Sequence, residues 1–152
     1  MNIWLIDDDD ITNMLHQFFL EEYFPDASIV VYSQAELALK SISENAPLPD
    51  YIFLDINMPV MDGWEFMDEL SQLTNANLSS LKIYILTSSL DPSDFSKAEL
   101  SPLIQDFISK SVFCILILSK LCFLFASHNT HIISQNNLLI LSLFRILNSF
   151  PT

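Results

Sequence analysis

From residue 3 to residue 110, five short apolar runs of strand length alternate with segments whose apolar residues recur at helical spacing. Strands that are apolar throughout belong to sheets covered on both faces, which means parallel strands joined by helical crossovers. The runs cover residues 3–6, 28–32, 51–54, 82–86 and 106–109. After the first, Ile11, Met14, Leu15, Phe18 and Phe19 recur at i, i+3, i+4, i+7 and i+8, which predicts an amphipathic helix over 11–24 that uses this stripe as its core face and stops before Pro25. Trp64, Phe66, Met67 and Leu70 predict a second helix starting after Gly63; weaker patterns cover 34–44 and 93–100. The Asn- and Ser-rich stretch 74–80 reads as a surface loop. Such a repeat is of the α/β class and closes as a doubly wound, five-stranded parallel sheet whose sites sit at the carboxyl ends of the strands.

The residues at those ends form a chemically coherent set. Asp7-Asp8-Asp9-Asp10 follows the first run, Asp55-Ile56-Asn57-Met58-Pro59 the third, Thr87 and Ser88 the fourth, and Lys110 the fifth. An aspartate run by itself is a solvated turn or a helix cap, with Asp10 or Thr12 as the capping residue, and Thr87 or Lys110 alone is an ordinary surface residue. Their shared place at strand ends predicts one pocket instead. Clustered carboxylates without His or Cys suit a hard cation such as Mg²⁺. An added ammonium and hydroxyl suit phosphoryl transfer to a carboxylate, with Asp55 as nucleophile and Lys110 and Thr87 binding phosphoryl oxygens.

Charge narrows the partners. All nineteen acidic residues lie in 1–110 with only four lysines, a formal −15, so there is no basic surface for nucleic acid. Cys114 and Cys122 make neither a disulfide framework nor a metal quartet, and no basic, secretory-type leader precedes the aspartates, so a cytoplasmic chain is expected. His16 is expected to be solvated on the outer or flanking side of its helix, and His128 and His131 lack further ligands nearby in sequence.

The motifs IWLIDDDD, YIFLDINMPVMDGWEF, IYILTSS and DFISK resemble, in order, those of the receiver domains of two-component response regulators, the chemotaxis-regulator-like family. The most specific stretch is LDINMPVMDG, residues 54–63. The resemblance covers residues 1–110 and implies the flavodoxin-like strand order 2-1-3-4-5. It implies that Asp7 and Asp8 are the acidic pair and that Asp8 and Asp55 ligate Mg²⁺ together with the backbone carbonyl of Asn57. Thr87 and Phe107 become the switch residues and Lys110 the phosphate-binding lysine. It further implies a histidine kinase or phosphotransfer protein as donor and an unknown downstream protein as target, with a homodimer left open. Pro59 and Gly63 would shape the loop after Asp55, Gly63 by supplying a backbone with φ > 0; simple punctuation at a helix start is the alternative.

The resemblance stops after Lys110, where the family continues with Pro and an amphipathic helix that would carry this domain to about residue 126. Here Ser111-Val112 follows, and Leu, Ile and Phe make up 20 of the last 42 residues. The runs 112–126 and 138–147 lack a polar face, and neither reaches the roughly 20 residues that span a bilayer. The hypothesis drawn from this junction is that 111–152 is a frameshifted tail, since one inserted base turns Lys-Pro into Lys-Ser-Val. Resequencing the gene tests it: the idea fails if no other frame encodes an acidic, helix-patterned continuation.

The leading expectation is a Mg²⁺-dependent conformational switch that is not an enzyme beyond self-catalysed phosphoryl transfer to and from Asp55. The rivals are a Mg²⁺-dependent phosphatase or phosphotransferase, which would want Asp where Asn57 stands, and a membrane-associated interaction module.

Overall fold

The computed structural model describes residues 1–44, 47–73, 78–88, 94 and 101–110, all within Met1–Cys114, the first of two units into which the chain divides. Five parallel strands, β1 (Asn2–Ile6), β2 (Ser28–Tyr32), β3 (Tyr51–Asp55), β4 (Lys82–Thr87) and β5 (Ile104–Ser109), form one sheet in the order β2-β1-β3-β4-β5. This is the doubly wound sheet expected of the repeat, in the flavodoxin-like order that the resemblance implies. The apolar YIFLD run of β3 is buried at every residue, as a central strand with both faces covered requires. β5 starts two residues before the expected 106 because Gln105 is an extra residue: pairing steps from Ile83 with Ile104 to Tyr84 with Asp106.

Three helices connect the strands: α1 (Asp10–Tyr23), α2 (Ala35–Ser43) and α3 (Gly63–Gln72). α3 opens on a capping box in which Asp62 accepts from the Glu65 N–H at 2.8 Å and Glu65 accepts from the Asp62 N–H at 2.9 Å. The cap of α1 is Asp9, not Asp10 or Thr12; it accepts from the Ile11 N–H at 3.0 Å and the Thr12 hydroxyl at 2.8 Å. Of the expected loop 74–80, the last three residues form a 3₁₀ turn, Leu78–Ser80.

One face of the sheet packs Trp4, Ile6, Ile52, Leu54, Ile83 and Ile85 against α2 and α3, which supply Ala35, Ala38, Ile42, Phe66, Met67 and Leu70. The strand residues that alternate with these point to the opposite face, where Phe53 and Tyr84 stack at 5.5 Å between ring centroids and α1 packs on β1 and β2. There the expectation fails in part. Ile11, Met14 and Phe18 are 67, 63 and 59% exposed, whereas Asn13, His16, Phe19 and Leu20 are buried. His16, expected to be solvated, has no exposed surface.

Among the described residues no helix is long and apolar enough to cross a membrane. The helix expected over 93–100, save Asp94, lies outside the described residues. So do the expectations for residues 111–152, with Cys114, Cys122, His128 and His131.

Candidate functional site

Register brings the site together. Ile6 pairs with Leu54, so Asp7 and Asp55 leave β1 and β3 level with each other; Asp55 pairs with Leu86, so Thr87 stands one step further on; Thr87 pairs with Ser109, which puts Lys110 next in line. Backbone groups then fix the carboxylates. The Asp7 N–H donates to Tyr32 O at 3.1 Å. Asp7 Oδ1 accepts from the Asp9 N–H at 3.0 Å, and Asp55 Oδ1 accepts from the Asn57 N–H at 3.1 Å. Gly63 closes the loop after Asp55 by approaching it closely: a Cβ there would lie 2.6 Å from Asp55 O and 2.8 Å from the Ile56 Cα. The expected φ > 0 is not at Gly63 but at Val60, with φ 69°, an unfavourable conformation for a β-branched side chain that here projects into solvent.

Lys110 Nζ lies 2.8 Å from Asp7 Oδ2 and 2.8 Å from Asp55 Oδ2. Asp7, Asp55 and Thr87 are buried and Asp8 is exposed. One carboxylate oxygen each from Asp7, Asp8 and Asp55 falls within 4.8 Å of the others. Like charges about 4 Å apart repel by roughly 4 kcal/mol at a near-surface effective dielectric of about 20; three carboxylates against one ammonium leave repulsion for a further cation to relieve. Burial pushes the Asp7 carboxyl above its usual range, offset only in part by Lys110 and the Asp9 N–H. Burial alone would push the Lys110 ammonium down, but the hydrogen bond it donates to Asp55, its ion pair with Asp7 and the charges of both carboxylates outweigh it, and Lys110 is held above its ordinary value.

The buried Asp7 Oδ2 meets Lys110 at ion-pair distance without hydrogen-bond alignment, so its bonding capacity is not used up. An all-oxygen, doubly anionic cluster with an exposed member suits a hard divalent ion that keeps some of its waters. A cleft of about 480 Å³, bordered by Asp8, Gln34, Glu36, Pro59 and Val60, opens beside it at the ends of β1, β2 and β3.

Asp7, Asp8, Asp55, Thr87 and Lys110 therefore converge, and Asn57, expected to offer its backbone carbonyl, stands beside them with its N–H on Asp55 Oδ1. Phe107 is half-buried on β5, beside Ile85 in register, and packs on the core of the α2–α3 face. Sequence reading missed Asn13, whose Nδ2 donates to Asp7 O at 2.7 Å from within α1. It also missed the pairing of the Trp64 indole N–H with Asp94 Oδ1 at 3.1 Å. No periodicity could announce Asn13, because the stronger apolar stripe of α1 points the other way.

The fold and the pocket are those of a receiver domain, and the chain matches the response regulator receiver domain over residues 3–120, ten residues past Lys110. It belongs to that family. The response regulator Rcp1 of Synechocystis sp. is 29% identical over 97 residues, 60% of this chain and 65% of that protein, so the match spans slightly less than two thirds of the relative. A two-component response regulator from Cytophaga hutchinsonii is 30% identical with a TM-score of 0.66, covering 80% of this chain and 96% of that one. The Mn²⁺-bound form of response regulator Rcp1 is 25% identical with a TM-score of 0.64, covering 76 and 88%.

Proposed function

We propose that this receiver is a phosphorylation switch in which Asp55 accepts a phosphoryl group from a phosphohistidine of a histidine kinase or phosphotransfer protein. The observation that carries the reading is the placement of Asp55: buried at the end of β3, with Oδ2 on Lys110 and the Asp7 and Asp8 carboxylates within reach of one shared cation. An oxygen of Asp55 attacks phosphorus, a P–O bond forms as the donor's P–N bond breaks, and the imidazole leaves with the electron pair and takes a proton. Lys110 exchanges its contact with Asp55 for a phosphoryl oxygen, and the Thr87 hydroxyl donates to another. Asp8 and Asp55, with the Asn57 carbonyl and with Asp7 behind, would hold Mg²⁺, which would supply charge neutralisation for the transfer; a solved form of the relative Rcp1 carries Mn²⁺, which supports a divalent site.

Closure of Thr87 draws Phe107 inward and alters the surface near β4 and β5 for an unknown downstream protein. The chain is thus a switch that turns over only its own aspartyl phosphate, by attack of water, and it works in the cytoplasm, where a kinase partner would meet it. Incubation with acetyl phosphate and Mg²⁺ tests this: the mass should rise by one phosphoryl group, and Asp55→Asn should abolish the gain. Labelling that survives Asp55→Asn, or steady hydrolysis of a chromogenic phosphate ester, overturns the reading.

A further inference from the structure

We propose that Asn13 is a positioning residue for the divalent-cation site, acting through the peptide that joins Asp7 to Asp8; this rests on the function proposed above. Asn13 is buried in α1, and its carboxamide donates to Asp7 O at 2.7 Å across six residues. That carbonyl and the Asp8 N–H share one rigid peptide plane. The bond therefore fixes the plane from which the Asp8 Cα hangs. Asp7 has its own restraints, through its N–H on Tyr32 O and its Oδ1 on the Asp9 N–H. Asp8 is exposed, so the plane is what aims its carboxylate at Asp7 and Asp55.

The rotation of α1 adds a second observation. The helix carries an apolar stripe able to cover the sheet, yet turns Ile11, Met14 and Phe18 to solvent and places Asn13 and His16 inside. Burying polar groups where apolar ones are available forgoes hydrophobic stabilisation. The Asn13 bond and the Asp9 cap hold the helix in that rotation, and both act on the loop that presents the acidic pair.

The experiment measures Mg²⁺ binding to the full chain by calorimetry, with folding checked by circular dichroism. Removal of supporting hydrogen bonds around metal ligands typically weakens affinity 10- to 100-fold. Asn13→Leu, similar in volume but without a donor, should raise the Mg²⁺ Kd by about tenfold, and Asn13→Gln, which keeps the carboxamide, should recover part of the loss. Ile42→Val on the opposite sheet face controls for lost packing and should leave the Kd unchanged. If Asn13→Leu does not fold, Asn13→Ser, whose hydroxyl is too short to reach Asp7 O, is read the same way. A Kd within twofold of the native value in the donor-free variant, while Asp8→Ala abolishes binding, sinks the proposal and spares the function. Binding that survives Asp8→Ala removes both.

Discussion

The two faces of the sheet are built from different materials. Toward α2 and α3 the described core is a cluster of apolar side chains, to which the helices contribute Ala35, Ala38 and Ile42 from one and Phe66, Met67 and Leu70 from the other. Toward α1 the interior admits Asn13 and His16 along with Phe19 and Leu20, while apolar side chains of the same helix stand in solvent. Area burial decides the first face. The second is decided by the acidic loop that α1 must hold at the end of β1.

The largest effects should fall on the α2–α3 face. Phe66 has no exposed surface, and Phe→Ala in a core costs about 3–5 kcal/mol from lost transfer energy plus the cavity left behind. Phe66→Ala should lose that much in urea denaturation, with the midpoint falling and the slope little changed. Asn13→Leu on the other face should cost less, about 1–3 kcal/mol, because it leaves the Asp7 carbonyl without its donor while adding apolar volume. The comparison breaks if Asn13→Leu costs more than Phe66→Ala.

His16 gives the α1 face a pH dependence. Burial first, then the charge of Lys110, lowers its pKa from 6.5 to about 4, against a smaller pull upward from Asp9. Between those values the unfolded chain binds a proton that the folded chain refuses, so stability rises with pH there and is lost as pH falls from 6.5 to 4. At about 1.4 kcal/mol per pH unit the loss reaches roughly 3 kcal/mol. Asp7 works in the opposite sense, since a raised carboxyl takes up its proton more readily in the folded state. The His16 share is therefore read as the difference between native and His16→Asn denaturation curves across pH 4–7, or directly from its imidazole resonance. A ring that titrates near 6.5 would mean that His16 is solvated after all.

What could be read from the sequence follows the same division. Strand positions and their end residues were legible because apolar runs flanked by Asp7, Asp55, Thr87 and Lys110 have few alternatives in a doubly wound sheet. α2 and α3 were legible because their periodicity and their packing agree. α1 was placed correctly along the chain but rotated wrongly. Its stripe is the strongest apolar signal near the site, and a hydrogen bond from Asn13 to a backbone carbonyl leaves no trace in periodicity. For Gly63 the φ > 0 reading fails and the helix-start alternative holds, since α3 begins there; its close approach to Asp55 O left no sign in the sequence, and the left-handed backbone belongs to Val60.

The smallest expected effect is the sharpest probe of that rotation. Met14 and Phe18, 63 and 59% exposed, were expected to be core residues, and truncating such residues in a core costs several kcal/mol. If they face solvent, Met14→Gln removes little buried area, and substitutions at such sites stay within about 0.5 kcal/mol. Phe18→Gln should be neutral to slightly stabilising, because Gln has the better helix propensity by a few tenths of a kcal/mol. The double variant, measured in urea beside the native chain, should therefore unfold at nearly the same midpoint. A loss above about 1.5 kcal/mol, beyond what an exposed pair can give, would mean that this stripe is covered. The rotation would then owe as much to packing as to Asn13, and the contrast between the two faces would narrow to His16 and the acidic loop.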